Sequence, residues 1–293
     1  MMSDLLLIAS NGLVWAMAVF LVASGLTLIF GILQVLNFSQ GGFMMIGAYL
    51  AAQIIAATEG GVGIAGFVAI ALACAVATAA MGVVVDRVVF RRLKGVDESQ
   101  SLIATYALLL LCEGAVKRIW GPNFVSAPPP HGLDGALFLG DLFLPSYGLF
   151  VIAAGVVVFA LLEIWLHRTA SGKVMRSVAI DPWMAGLLGI NVGLVFSVAV
   201  VAGFALAGLA GGLLVANQSL SPALGGTYII QAFGVIIVGG IGNVRGAFLA
   251  AILLGLIDAF GTVYVPSLPG VFFFVAVAVM ILFRPQGLLR GVH

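Results

Sequence analysis

The sequence predicts an all-α, polytopic membrane protein of about 8–10 transmembrane helices, some of them broken or half helices. Three observations predict this class. Of the 293 residues, 63% are hydrophobic and only 8% are charged, whereas a soluble globular domain carries about 25% charged residues. The 39 glycines suit closely packed membrane helices. The apolar residues also form long runs, one of which is interrupted by polar side chains.

Nine apolar runs are candidate crossings within a single transmembrane domain that covers residues 1–293. Several are shorter than the ~20 residues that a straight crossing needs, so half-helices are expected among them. The first run is interpreted as part of the mature protein, because no basic segment typical of a signal peptide precedes it. The predicted crossings are Asn11–Leu33, Phe43–Ala57, Ile64–Val85, Ser101–Ile119, Ser146–Leu166, Leu194–Val215, Tyr228–Ile241, Gly246–Val263 and Val271–Phe283.

The most informative stretch is the interrupted run between residues 24 and 52, which is expected to resume as a helix at Phe43. In lipid, irregular backbone is tolerated only where it is buried in protein or lines a wet cavity, and in transporters such breaks point to the substrate path. A short loop at the membrane surface is the alternative. On the first interpretation, Phe43 and the polar residues of the break lie beside a translocation path. These polar residues are Gln34, Asn37, Ser39 and Gln40.

Lysine and arginine predict the orientation, because cytoplasmic loops carry the excess of both. Ten basic residues fall on one side of a threading that leaves the N-terminus outside and the C-terminus in the cytoplasm. Only Lys117 and Arg118 fall outside, and Glu113 stands four residues before Lys117, the spacing of a helical ion pair. The ten are Arg87, Arg91, Arg92, Lys94, Arg168, Lys173, Arg176, Arg245, Arg284 and Arg290.

The predicted outer loop Trp120–Pro145 contains three consecutive prolines at 128–130, which favour a stiff polyproline II connector. A docking surface for an external partner is the alternative. The predicted inner loop, about residues 168–193, is longer than a tight connection needs. Within it, Asp181 and Pro182 are typical of a helix N-cap and first position, and Gly189 is typical of a helix end. The length of the loop and its capped helix favour contact with a soluble partner. The alternative is a helix that lies on the membrane surface.

A third segment, Ile236–Phe248, combines glycines with Asn243 and Arg245. Its sequence Arg-Gly-Ala-Phe at 245–248 matches Gln-Gly-Gly-Phe at 40–43 in the pattern polar-Gly-small-Phe. The match hints at two structurally related halves, as in many transporters.

Most enzyme classes lack support in the sequence. No cluster has metal-ligand spacing, no GxxxxGK[ST] phosphate loop is present, and no nucleophile–base pair is evident. The net charge of +1 implies no nucleic-acid partner. Cys74 and Cys112 are interpreted as buried small apolar residues. Asp258 is the notable ionisable residue within a span, where a carboxylate is costly and often functional. The alternatives to a functional role are a structural hydrogen bond to a neighbouring span or to backbone, which is expected here, and a site near the outer surface that water reaches.

Three motifs and the C-terminal segment together resemble the inner-membrane permease subunits of branched-chain amino acid ABC importers, the LivH type in particular. That family often has His at the position of Gln40. The matching segments are Gly25–Thr27 with Asn37–Gly41 and Gly47–Tyr49, then Ala185–Asn191, then Gly239–Ala247, and last Arg284–Leu289.

This resemblance implies an ABC importer permease fold in a bacterial inner membrane, among membrane lipids and without a cofactor. It implies a second homologous permease subunit, two cytoplasmic ATPase subunits that hydrolyse ATP, and a periplasmic solute-binding protein. The solute would be a branched-chain or other apolar amino acid, with urea, short amides and aromatic acids as alternatives. A stand-alone secondary transporter or channel for a small polar solute and an intramembrane enzyme are the rival functions. The resemblance adds Asn243 and Asp258 to the path and assigns ATPase coupling to Arg176, Ala179, Asp181, Ala185, Leu188 and Gly189.

Overall fold

A computed structural model describes residues 2–58, 61–93, 96–139 and 142–289. Two of the basic residues used for the orientation, Lys94 and Arg290, lie outside the described residues. Each of the nine predicted crossings corresponds to a helix, and the all-α class is confirmed. The helices are α1 (Met2–Leu33), α2 (Ser39–Ala56), α3 (Ile64–Val88), α4 (Glu98–Trp120), α5 (Ser146–Arg168), α6 (Ala170–Ile180), α7 (Pro182–Leu187), α8 (Val192–Leu214), α9 (Leu224–Gly239), α10 (Val244–Tyr264) and α11 (Val271–Phe283).

Five of the described helices are long and apolar enough to cross a membrane, namely α1, α3, α5, α8 and α10. Helices α9 and α11 are apolar but shorter. Helix α1 lies at the centre, against α5, α8, α9 and α10, and α2 lies against α3, α4, α8 and α9. Every residue from Ala16 to Ala23 is at most 1% exposed. A helix that is apolar on all sides belongs in such an interior position.

Small residues allow the central helices to approach one another closely. A Cβ atom added to Gly47 of α2 would stand 2.7 Å from the Cα atom of Gly208 in α8. Only glycine fits this contact. In lipid the hydrophobic effect does not drive helices together, so close packing at small residues such as these holds them together.

Several described basic residues lie at helix ends, among them Arg87, Lys117 and Arg168, and the orientation of the bundle stays a prediction. At one end of the bundle, the buried carboxylate of Asp86 accepts hydrogen bonds from Ser197 Oγ at 2.5 Å and Arg91 Nε at 3.3 Å. The Leu288 amide donates to the Val238 carbonyl at 2.8 Å, which ties the C-terminal segment to the end of α9. We call this end, which also carries α6 and α7, the basic end.

The opposite end carries the long connection between α4 and α5. Lys117 Nζ lies 3.9 Å from Glu113 Oε2, so the expected helical ion pair is confirmed. The connection itself contains an antiparallel hairpin that the sequence analysis did not foresee, formed by β1 (Ala136–Leu139) and β2 (Leu142–Pro145). Two apolar runs of four residues were its signal, but each is too short to stand out beside the three prolines.

Candidate functional site

The break between α1 and α2 is a reversal of the chain. Helix α1 ends at Leu33, and Gln34 takes a positive φ of 55° while its amide still bonds to the Phe30 carbonyl. Positive φ is uncommon outside glycine and marks a turn here. Helix α2 then begins at Ser39, four residues before the predicted Phe43. The prediction was wrong there because close helix contacts hold the glycine pair at 41–42 in helical conformation.

The start of α2 lies inside the bundle and not at its surface. Gln40 Nε2 donates to the carbonyl of Gly203, near the middle of α8, at 2.9 Å. The same amide lies against Gly25 of α1. Gly25 precedes the end of α1 by eight residues, or about 12 Å at 1.5 Å per residue. The chain therefore folds back along α1 before α2 begins, which excludes a loop at the end of the bundle.

Three of the four polar side chains of this reversal are fully enclosed. Asn37, Ser39 and Gln40 are each 0% exposed, whereas Gln34 is exposed. Asn37 Oδ1 accepts from the amide and the hydroxyl of Ser39 at 3.1 and 2.5 Å. Among the described residues, Asn37 Nδ2 and Gln40 Oε1 have no hydrogen-bond partner. A buried polar atom without a partner costs about 1–3 kcal/mol, so such atoms call for an explanation in function or hydration.

Aromatic rings and a hydroxyl surround the same reversal. Phe43 stacks on Phe204 of α8 with ring centroids 4.1 Å apart, and Phe38 contacts Phe233 of α9 at 4.7 Å. Thr105 Oγ1 of α4 donates to the carbonyl of Leu36 at 2.9 Å, which satisfies one irregular backbone group. The reversal is thus a polar core with apolar walls.

Two residues predicted for the path lie elsewhere, Asn243 at the start of α10 and Asp258 in its second half. Asn243 caps its start by accepting from the Gly246 amide at 3.0 Å. Asp258 lies fifteen residues further on, about 22 Å along the helix. Its Oδ1 accepts from the Phe273 amide in the first turn of α11 at 3.1 Å, so the expected hydrogen bond to a neighbouring span is confirmed. This carboxylate caps a helix whose own N-cap, Gly270, has no capping side chain.

The inner segment forms two short helices at the basic end. The sequence analysis gave a helix only to its second part, and that prediction is confirmed. Asp181 caps α7 through the Met184 amide at 2.9 Å, with Pro182 in the first turn. Gly189 ends α7 with a φ of 84°, and its amide bonds to the Gly186 carbonyl. Helix α6 before it was missed; its apolar side is buried at Met175 and Val178.

Helix α7 and its flanks expose a cluster of large apolar side chains, which we call the α7 patch. Trp183 is 71% exposed and Leu188 76%, while Ala185 beneath them is only 3% exposed. A contiguous apolar surface of this kind marks a protein or membrane contact. The patch consists of Ile180, Trp183, Met184, Leu187 and Leu188.

The remaining predicted coupling residues, Arg176 and Ala179, line a cavity of about 160 Å³ between α1, α5, α6 and α10. Glu163 also lines this cavity and pairs with Arg245 Nε at 2.7 Å and with His167 Nδ1 at 3.0 Å. The sequence analysis did not select Glu163, because a lone carboxylate near a helix end gives no signal by itself. No group of three or more His, Cys, Asp or Glu within the described ranges could hold a metal ion.

The family described as branched-chain amino acid transport system / permease component matches residues 8–283 of the chain. The chain belongs to this family. The permease is 30% identical over 287 residues to the high-affinity branched-chain amino acid transport system permease protein BraD of Pseudomonas aeruginosa, which covers 95% of this chain and 94% of the relative.

Two further relatives match at nearly full length. The permease is 28% identical over 291 residues to the LivH permease protein of Escherichia coli K12, covering 95% of this chain and 93% of LivH. It is also 28% identical over 284 residues to the probable branched-chain amino acid transport permease protein LivH of Methanocaldococcus jannaschii, covering 92% and 85%. No solved structure matches the permease.

Proposed function

We propose that the permease forms half of the translocation pathway of an ATP-driven ABC importer for branched-chain or other apolar amino acids. The other half would be a second homologous permease subunit. The solute class rests on the relatives reported above, which are named as branched-chain amino acid transport permeases. The whole chain acts in this proposal as a single transmembrane domain, whose N-terminus lies outside and whose C-terminus lies in the cytoplasm.

The observation that carries the proposal is the α7 patch at the basic end. Apolar side chains that project beyond a helix bundle among basic residues suit a groove on a soluble partner. The partner is a cytoplasmic ATPase subunit, one for each permease chain, which supplies the ATP hydrolysis. Leu188 contacts it, Ala185 seats α7 on the bundle, and Asp181 and Gly189 define the two ends of the helix. Arg176 and Ala179 of α6 support α7 from behind.

The path runs beside the reversal between α1 and α2. Its polar lining comes from Gln34, Asn37, Ser39 and Gln40, and Phe43 closes the apolar wall. The unpartnered amide atoms of Asn37 and Gln40 support this assignment, because a passing solute or water would supply the missing hydrogen bonds. Asn243 and Asp258 shape the path by fixing the starts of α10 and α11. A periplasmic binding protein delivers the solute at the end that carries the hairpin.

The docking surface is tested by Leu188→Glu in the permease expressed with its ATPase and second permease subunits. We expect at least a ten-fold loss of ATPase that co-purifies with the permease, and loss of ATP-driven uptake in proteoliposomes. Phe124→Glu is the matched control, because Phe124 is also 76% exposed but lies at the opposite end. A Leu188→Glu complex that assembles and transports normally would show that the α7 patch is not the docking surface.

The solute is tested by a ligand screen on the cognate solute-binding protein, followed by uptake into proteoliposomes that hold the whole importer. Leucine, isoleucine and valine are expected to bind and to enter only with ATP. Selective binding of urea, an amide or an aromatic acid would replace the solute class. Uptake without any ATPase subunit would favour a secondary transporter or channel.

A further inference from the structure

An open groove of about 780 Å³ lies between α3 and α8 at the basic end, apart from the reversal and the α7 patch. The two helices run antiparallel there. Asp86 near the end of α3 bonds to Ser197 near the start of α8, and one turn earlier on α3 Gly82 lies against the Phe204 ring. The groove therefore begins at the basic end and continues along both membrane-spanning helices.

The wall of the groove is apolar over the depth of one leaflet. Leu194, Val198, Val201 and Ala205 form one face of α8, and Val83 of α3 stands opposite. Leu194 and Ala205 are eleven residues apart, about 16 Å along a helix, which is close to half of the ~30 Å hydrocarbon core. An acyl chain of the leaflet at the basic end fits such a wall.

Two arginines line the same groove and are open to its surroundings. Arg87 and Arg91 are four residues apart on the α3 side. Arg87 is exposed, and the Arg91 side chain is 54% exposed. Among the described residues, Arg87 forms no ion pair. Both guanidinium groups can therefore reach a ligand that lies in the groove.

The charge of the lining is positive. Its carboxylate, Asp86, is only 5% exposed in its side chain and already accepts from Ser197 Oγ and Arg91 Nε. Two cations thus share one enclosed carboxylate, which leaves Arg87 without a counter-charge. A phosphodiester, which carries one negative charge, complements this lining.

A second copy of the permease suits the groove less well than a lipid. In a two-fold interface the same surface of both subunits meets. Arg87 and Arg91 would then approach their own copies at the same depth, and juxtaposed like charges disfavour association.

We propose that this groove binds one anionic phospholipid from the leaflet at the basic end. The headgroup phosphate binds Arg87 and Arg91, and one acyl chain lies along the α8 wall. Basic pockets between transmembrane helices recognise lipid headgroups in this way. The proposal does not depend on which solute the permease transports.

The experiment uses phosphatidylglycerol with a photoreactive diazirine in its acyl chain, added to the assembled complex in phosphatidylcholine nanodiscs. Mass spectrometry of the permease peptides then locates the cross-links, which we expect on the α8 segment 198–205. Unlabelled phosphatidylglycerol should lower the yield, whereas zwitterionic phosphatidylethanolamine and soluble glycerol 3-phosphate should not. Equal competition by either compound would overturn the proposal, as would the absence of cross-links on α3 and α8.

A charge variant tests the headgroup contact. Arg87→Gln should raise the half-saturating fraction of phosphatidylglycerol about five-fold, the effect of one arginine beside an anionic lipid. Its melting temperature in phosphatidylcholine should not change, because Arg87 is exposed. Arg92→Gln is the matched control, since Arg92 is also exposed but does not line the groove. Equal shifts in both variants would show only a general attraction of basic residues to the membrane and would overturn the site.

A size variant tests the acyl-chain contact. Ala205→Phe fills the wall and should remove most cross-links from the α8 segment, because the chain loses its place. Ala80→Phe is the control, since Ala80 is exposed on α3 outside the groove. Unchanged cross-linking in both Arg87→Gln and Ala205→Phe would overturn the proposal, and it would leave the proposed transport function untouched.

Discussion

The starts of α2 and α10 share the pattern polar-Gly-small-Phe, at residues 40–43 and 245–248. The two starts differ in how deeply they are buried in the bundle, so comparing them separates the effect of the pattern from the effect of burial. In both, the glycine of the pattern touches the backbone of another glycine: Gly41 meets Gly225 of α9, and Gly246 meets Gly239 at the end of α9. The pattern thus builds the same device twice, a helix start set directly against a neighbouring backbone.

The aromatic residue of the pattern also plays the same part in both places. Phe43 stacks on Phe204 with centroids 4.1 Å apart, and Phe248 stacks on Phe159 with centroids 4.2 Å apart. These parallels are compatible with the predicted relation between two halves, which stays a prediction.

The polar residue is where the two starts differ. Gln40 is 0% exposed and gives its amide to a backbone carbonyl. The Arg245 side chain is 56% exposed and pairs with Glu163 near the surface. A neutral amide can be buried at modest cost, whereas an unpaired charge cannot. The local pattern therefore specifies the helix start, and its depth in the bundle decides whether the first side chain is neutral or charged.

The largest expected effect comes from exchanging the polar residues. Gln40→Arg places a cation at a fully buried position, beside the Gly203 carbonyl and Gly25, at a cost of about 3–5 kcal/mol, and should abolish the folded complex. Arg245→Gln, the reverse change, should leave it folded because the side chain is largely in solvent. Fluorescence-detected size exclusion with a thermal ramp measures both. A stable Gln40→Arg permease would mean that water already reaches the start of α2.

A smaller loss is expected from filling the glycine contact. Gly41→Val places a side chain against the Gly225 backbone, which cannot yield as a flexible side chain would, and overpacking of this kind costs about 1–3 kcal/mol. Gly114→Val on α4 is the control, because a Cβ there meets nothing within 4 Å. Each variant replaces one helical glycine with valine, so the change in helix propensity is the same in both. If their melting temperatures fall equally, the contact between α2 and α9 contributes nothing specific.

The smallest effect concerns a third helix start, that of α11, which α10 caps through Asp258. Asp258→Leu should lower stability by about 1 kcal/mol, the usual value of an N-cap. Asp258→Asn keeps the acceptor oxygen and should retain most ATP-driven uptake. The same thermal ramp measures the stability of both variants, and uptake into proteoliposomes measures their transport. An intact Asp258→Asn complex that no longer transports would show that the negative charge itself takes part in the cycle.

Much of the fold follows from the sequence because lipid leaves few choices. Each predicted apolar run corresponds to a helix, and the cap at Asp181 is a local signal that needs no knowledge of the rest of the chain. The cap at Asn243 was not predicted, although the residue type allows it. The start of α2 was misplaced by four residues because two glycines lower the helix propensity of this segment. Glycine is nevertheless needed there, because a neighbouring backbone leaves no room for a side chain. That neighbour, Gly225, is remote in sequence. Glu163 was missed for the same reason, since only the assembled bundle brings it beside Arg245.

The reversal at Gln34 also constrains the order of events during biosynthesis. The amide of Gln40 donates to the carbonyl of Gly203, which lies 163 residues further along the chain. Gly41 contacts Gly225, which is synthesised after Gly203. While the ribosome is making α3 to α7, the polar start of α2 has neither partner. Helix α1 can insert as soon as it is made, but α2 reaches its place only after α8 and α9 have emerged. The polar core of the permease is therefore completed late, by segments from the second half of the chain.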